Sequence, residues 1–182
     1  MTGALNRVRI IGGEWRSRIL RFPAGASLRP TGDRIRETLF NWLGQDLSGR
    51  SALDLFAGSG ALGFEAASRH AALAVLVERD AGVAQSLRDN VRLLDAERVE
   101  VNCADALHFL REDSRMFDVI FLDPPFAAAD YGGLIAAAGR RLRADGNIYV
   151  ESGVPIVPPA GYAVVKSARA GAVHFALLTR DG

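Results

Sequence analysis

From Ser51 onward, short apolar runs alternate with stretches of helical periodicity, and that alternation leaves few architectures open. Five runs read as strands: Ser51 to Phe56, Ala74 to Glu78, Val99 to Cys103, Phe117 to Leu122 and Asn147 to Glu151. Each is rich in Val, Ile, Leu or Phe, as strands covered on both faces should be. The clearest helix follows Asp80, where Val83, Leu87, Val91 and Leu94 recur at three- and four-residue intervals while Gln85, Arg88, Asp89 and Arg92 take the other side. Strand–helix alternation of this kind predicts βαβ units, a parallel sheet and an α/β fold.

The pattern changes at both ends. Tyr162 to Ser167 and Val173 to Thr179 are strand-like and joined by a turn containing Gly171, which predicts a closing hairpin, and Val154 to Pro159 carries three prolines and reads as an extended connection. Before the sheet, Val8 to Ile11 and Arg18 to Phe22 flank Gly12-Gly13 as a second, smaller hairpin. A helix follows, with Thr31 as N-cap, Asp33 and Glu37 in its first turns, and Ile35, Leu39, Phe40 and Leu43 on one apolar face. The expected division is an N-terminal extension over residues 1–50 and a catalytic domain over residues 51–182.

Charge is spread unevenly between these parts. Residues 1–50 hold nine arginines against four acids, a net of +5, which leaves −4 for the rest of a chain whose total is +1. A basic segment on a near-neutral body points to a polyanionic partner, nucleic acid first, because arginine pairs well with phosphate. The lone cysteine, Cys103, excludes an internal disulfide framework. His70, His108 and His174 lack metal-ligand spacing. No apolar stretch approaches the ~18 residues of a membrane span, and the N-terminus lacks the pattern of a secretion signal. A cytoplasmic protein with no metal and no membrane partner is the expectation.

The first strand runs into Asp54-Leu55-Phe56-Ala57-Gly58-Ser59-Gly60-Ala61-Leu62-Gly63, whose glycines satisfy the G-x-G-x-x-G spacing that lets a ligand approach the backbone. Glu78, closing the second strand, is placed to hold ribose hydroxyls. Both features fit a dinucleotide as well as an adenosyl ligand. Two further acids favour the latter. Asp54 ends a buried strand, which suits a cofactor carrying an ammonium and a sulfonium better than one carrying two phosphates, and Asp105, after the third strand, can accept a hydrogen bond from an adenine amino group. Phe56, Ala57, Arg79 and Ala106, beside these acids, are expected to line the same ligand, S-adenosylmethionine.

The fourth strand ends in Asp123-Pro124-Pro125-Phe126. Two prolines fix the backbone and remove two N–H donors, so the loop presents carbonyl oxygens and one carboxylate in a rigid arrangement. That suits an amino group on a planar base. Its lone pair is delocalised into the ring, and accepting its two hydrogens at Asp123 and at the Pro124 carbonyl favours a pyramidal nitrogen that can attack a methyl group. Phe126 is expected to stack on the base, and Asp123 also to face the cofactor.

With these residues in view, the chain resembles the RsmD-like family of bacterial ribosomal RNA methyltransferases, which modify the N2 amino group of a guanine in 16S, small-subunit RNA. The likeness rests on Arg9 to Arg16, on Leu28 to Leu43, on Asp54 to Gly60 and on Asp123 to Phe126, and Leu28 to Leu43 is its most specific block. It implies a Rossmann-like class I S-adenosylmethionine-dependent methyltransferase, with a seven-stranded, mostly parallel sheet whose last strand is antiparallel. It also implies that Arg29, Pro30 and Thr31 lie near cofactor and base, and that Arg7, Arg9, Arg16, Arg18, Arg29 and Arg34 grip RNA. The implied partner is an assembled or assembling 30S particle, met by a monomer.

Three rivals stand at this point. A DNA adenine-N6 methyltransferase would share the cofactor site and the Asp123 loop, although only about 50 residues lie outside the catalytic fold, little for a sequence-specific recognition region. A nicotinamide-dependent dehydrogenase would share the glycine loop and Glu78 but lacks an evident hydride-transfer site. A non-enzymatic ribosome-binding protein would have no use for an intact Asp123, Pro124 and Phe126.

Overall fold

The structure, a computed structural model, describes residues 5–24, 31–125 and 130–182. The alternating region forms β3 (Ser51–Asp54), α2 (Ala61–Ser68), β4 (Leu73–Glu78), α3 (Ala81–Leu94), β5 (Val99–Cys103), α4 (Ala106–Glu112), β6 (Phe117–Leu122), α5 (Tyr131–Gly139) and β7 (Leu142–Ser152). These five strands run parallel. The hairpin β8 (Tyr162–Ala170) and β9 (Val173–Arg180) completes a seven-stranded sheet of order β5-β4-β3-β6-β7-β9-β8, in which β9 lies antiparallel beside β7.

Apolar residues at both parities follow from helices on both faces. Leu53, Ile120, Leu122, Ile148 and Val150 pack against α4 and α5, while Ala52, Val119, Phe121 and Tyr149 pack against α1 (Asp33–Leu43). Several strand boundaries differ from expectation, among them the first hairpin strand, which spans Leu5–Arg9 rather than Val8 to Ile11, and the strand from Tyr162, which runs to Ala170 rather than Ser167. β3 stops at Asp54 rather than Phe56, because the chain turns there into the glycine loop, with the Ala57 N–H donating to the Val77 carbonyl at 2.9 Å. β7 begins five residues earlier than Asn147, and a register irregularity opposite Phe117 to Val119 absorbs the polar Arg143 to Asp145.

The N-terminal hairpin pairs β1 (Leu5–Arg9) with β2 (Ile19–Pro23). Val8, Leu20 and Phe22 face α3, and the buried Asn90 amide accepts from the Arg21 N–H at 3.1 Å and donates to the Arg21 carbonyl at 2.8 Å, docking the strand to that helix. The outer face carries Arg7 directly opposite Arg21. Like charges in that position are mutually destabilising, so this surface is suited to a polyanion.

An ionic knot ties the N-terminal segment to α2. Arg36 has no solvent exposure and donates to the Arg9 carbonyl at 2.8 Å, the Thr31 carbonyl at 3.1 Å and Glu65 Oε2 at 3.2 Å, besides pairing with Asp33. Glu65, equally buried, accepts the Ile11 N–H at 3.0 Å, the Gly12 N–H at 2.7 Å and Arg69 Nε at 3.0 Å. Arg69 lies 4.8 Å over the Phe40 ring. Glu65→Ala strips two buried guanidinium groups and two backbone N–H donors of their acceptor at once, and is expected to cost about 3–5 kcal/mol. A urea midpoint lowered at unchanged slope is the measure; a loss below about 1 kcal/mol would mean that the knot does not hold the hairpin.

Candidate active site

Parallel strands put their carboxyl ends on one edge, and the acids read from the sequence gather there. The glycine loop leaves β3 with Gly60 at φ 80°, where an added Cβ would meet Leu87 and Phe64 side-chain atoms at 2.7 Å. Gly63 brings α2 against β4, since a Cβ there would stand 2.4 Å from Leu76 Cδ1. Substitution at either would push the loop off its path.

Asp54 is 2% exposed, and its Oδ2 accepts the Gly63 N–H at 3.1 Å. Among the described residues its Oδ1 is buried with no hydrogen-bond partner. Burial pushes this carboxyl up to about 7, against the backbone N–H groups of Gly63 and Phe56, which lower it; the nearby Glu78 and Glu151 charges raise it further. Glu78 Oε2 accepts the Gly58 N–H at 3.0 Å and its Oε1 the Asp80 N–H at 2.8 Å. The Ala104 N–H donates to the Glu78 carbonyl at 3.0 Å, which sets Asp105 beside that strand end. Asp105 caps α4, its Oδ1 accepting the His108 N–H at 3.0 Å. Phe56 is half-buried, Ala57 and Ala106 are buried, and Arg79 is exposed.

Asp123 follows β6, with Pro124 buried behind it and Pro125 exposed. Its carboxyl is held well above the usual carboxylate range, by burial first and then by the charges of Glu151 and Asp54, while a hydrogen bond from Thr31 pulls the other way. That bond corrects the expected role of Thr31. The N-cap of α1 is Gly32, with no side-chain cap bond, and the Thr31 hydroxyl instead donates to Asp123 Oδ2 at 3.4 Å. Arg36, by fixing the Thr31 carbonyl, sets where that hydroxyl points.

Sequence reasoning missed Glu151, Tyr149 and Tyr131. Glu151 is the last residue but one of β7, is 4% exposed, and its Oε1 accepts the Tyr149 hydroxyl at 2.7 Å. The signal was present, because Glu151 is one more acid at a strand's carboxyl end. The Tyr131 hydroxyl oxygen is buried and has no hydrogen-bond partner among the described residues. Of the arginines assigned to RNA, Arg7, Arg9, Arg16, Arg18 and Arg34 are exposed; Arg9 reaches Asp33 at 3.5 Å and Arg18 the Leu93 carbonyl at 3.4 Å. Arg29 and Phe126 lie outside the described residues.

A parallel sheet with an antiparallel strand inserted beside its fifth member, a glycine loop after the first strand and acids along the carboxyl edge define a class I S-adenosylmethionine-dependent methyltransferase. The family model described as "Conserved hypothetical protein 95" matches residues 8–179. The chain belongs to that family, the RsmD-like methyltransferases. Ribosomal RNA small subunit methyltransferase D of Escherichia coli K12 is 42% identical over 185 residues, covering 96% of this chain and 91% of that protein. The protein of the same name from Haemophilus influenzae is 40% identical, covering 96% and 94%. The solved structure of yhhF from Escherichia coli superposes with a TM-score of 0.87 at 41% identity, over 97% of this chain and 99% of that one. The Thermus thermophilus 16S rRNA N2 G1207 methyltransferase RsmC, solved with AdoMet and guanosine, shares the fold with a TM-score of 0.72 at 21% identity, over 98% of this chain and 50% of that one.

Proposed function

We propose that this chain transfers a methyl group from S-adenosylmethionine to the N2 amino group of a guanine in small-subunit ribosomal RNA, as a cytoplasmic monomer acting on a 30S particle, assembled or assembling. The observation that carries the chemistry is Asp123, half-buried just past the end of β6, between Asp54 and Glu151 and tied to Thr31.

The residues present fit the cofactor. Among the described residues Asp54 Oδ1 is a buried acceptor without a donor, and the cofactor's ammonium supplies one. Glu78 is placed for ribose hydroxyls and Asp105 for the adenine amino group. When bound, S-adenosylmethionine supplies an electrophilic methyl group on sulfonium sulfur. The protein's part is positioning. Asp123 and the Pro124 carbonyl accept the two amino hydrogens, which localises the nitrogen lone pair and stabilises the positive charge that develops on it. Asp123, its proton affinity already raised by burial, then takes the proton that the methylated nitrogen must lose.

Residues 51–182 perform this chemistry, and residues 1–50 cover the cofactor and hold RNA through Arg7, Arg9, Arg16, Arg18, Arg29 and Arg34. Removing the charges of Arg7, Arg9, Arg16 and Arg18 together is expected to flatten the dependence of log K on log salt by about two to four units, near one per lost phosphate contact. Filter binding of small-subunit RNA across salt concentrations reads the slope, and an unchanged slope would return these arginines to ordinary surface solvation. The reaction itself is tested with methyl-labelled cofactor and small subunits lacking the modification. Label in N2-methylguanosine of the digested RNA is expected, and label only in N6-methyladenosine of duplex DNA would decide for the DNA reading.

A further inference from the structure

We propose that Arg7 and Arg21 form a two-armed site for one phosphate of the RNA backbone, on the path that leads away from the target base. The inference rests on the reading of the substrate as small-subunit ribosomal RNA. Arg7 and Arg21 are register partners in the β1–β2 ladder, and both are exposed. The Arg21 backbone faces away from β1. Its N–H donates to Asn90 Oδ1 at 3.1 Å, and its carbonyl accepts the Asn90 amide at 2.8 Å and the Ser86 hydroxyl at 2.7 Å, all from α3. Arg7 and Arg21 are therefore a non-hydrogen-bonded pair of the ladder, the kind whose side chains start closest together, with Cβ atoms about 4.5–5.5 Å apart on one face. Three bonds from one helix to a single residue, two of them from the buried Asn90, fix the base of Arg21 before a ligand arrives, which reduces the ordering cost of binding.

The charge on this face is open. Neither guanidinium pairs with a carboxylate among the described residues, and residues 1–4, 25–30 and 126–129 contain no Asp or Glu. Arg9, two residues along the same face, is by contrast drawn to Asp33 at 3.5 Å. Two close cations without a counter-charge attract an anion, and two planar guanidinium forks can donate to different oxygens of one phosphate. Leu5 and Ile19 stay exposed beside them, so the face also offers apolar contact to a ribose or base, which favours a nucleic acid strand over a free anion. The face is continuous with the active site. One guanidinium, that of Arg36, holds both the Arg9 and the Thr31 carbonyls, and the Thr31 hydroxyl meets Asp123 at 3.4 Å. A strand whose target base reaches Asp123 thus meets Arg9 and then the Arg7–Arg21 pair along its backbone. Counting charge along the chain does not single out Arg21; its place opposite Arg7 does.

The test uses the full chain and filter binding of small-subunit ribosomal RNA across salt concentrations. Arg7→Gln and Arg21→Gln are each expected to weaken binding by about three- to tenfold at low salt. The double substitution should flatten the dependence of log K on log salt by about one unit, because the two arms neutralise one phosphate. A change of about two units would mean two separate phosphates and would overturn the shared site, and an unchanged slope would return both arginines to surface solvation. Arg111→Gln removes an exposed charge from α4, across the sheet, and is expected to leave the slope as it is. Equal flattening there would reveal a bulk charge effect and overturn the proposal as well. The melting temperature of the free protein gives a readout without RNA. Arg21→Gln removes a like charge opposite Arg7 and should melt no lower than the wild type at low salt; a clear fall would assign Arg21 to holding the fold instead. Failure of the wild type itself to bind that RNA would refute the reading beneath rather than the pair.

Discussion

Asp123→Ala is expected to lower kcat by about 10²- to 10⁴-fold, the range for losing a positioned base together with an acceptor that matters most in the transition state. Affinity for S-adenosylhomocysteine should change by less than about threefold, because the aspartate is assigned to the substrate nitrogen. Asp123→Asn separates its two roles. It keeps one oxygen to accept an amino hydrogen but carries no charge to stabilise the developing cation, so an intermediate rate is expected. Single-turnover transfer and isothermal titration supply the two numbers. A parallel fall in rate and cofactor affinity for Asp123→Ala would place this residue in the cofactor pocket instead.

Asp54→Asn should act in the opposite sense, lowering cofactor affinity by about 10²- to 10³-fold, as loss of one member of a buried ion pair does. The pH dependence follows from the sign of the shift. Asp54 is pushed up to about 7, so the free protein carries it largely protonated below that pH, whereas the bound ammonium favours the ionised form. Affinity should therefore rise with pH up to about 7 and then level off. Binding at pH 6 should release a proton, seen as an enthalpy that depends on the buffer. Stability runs the other way. The folded state of the free protein holds this proton more tightly than the unfolded chain, so stability is lost as pH rises from the ordinary carboxylate range through about 7. Asp54→Asn should consequently melt higher than the wild type at pH 8 while binding cofactor poorly. A lower melting temperature would show that the ionised carboxylate is not a liability of the free protein.

Much of this frame is legible in the chain, for a physical reason. Strands covered on both faces must be apolar at both parities, and the runs at Ala74 and Phe117 declare themselves that way, as α3 does by its three- and four-residue repeat. The closing hairpin is equally plain, since nothing helical separates Tyr162 from Thr179. What sequence conceals is adjacency across elements. Thr31 looks like a helix cap until α1 is set against β6, where its hydroxyl meets a carboxyl 92 residues away. Tyr149 reads as core inside an apolar run, and only the placement of Glu151 two residues on gives its hydroxyl a partner. Arg36 sits among arginines counted as a basic surface, yet it has no exposure, because Glu65 on α2 and the Arg9 and Thr31 carbonyls satisfy its donors. Composition cannot distinguish an arginine that meets phosphate from one that ties two segments together. The glycine loop was legible in spacing, but the space each glycine must leave for Leu87, Phe64 or Leu76 required the packed structure.

A methyl group placed on one guanine of small-subunit RNA is read out in cells. Ribosomal RNA from a strain lacking this gene is digested and mapped by mass spectrometry beside its parent. One N2-methylguanosine is expected to disappear from the small-subunit RNA and to return with the wild-type gene but not with the Asp123→Ala form. An unchanged set of methylated guanines in that RNA would contradict it.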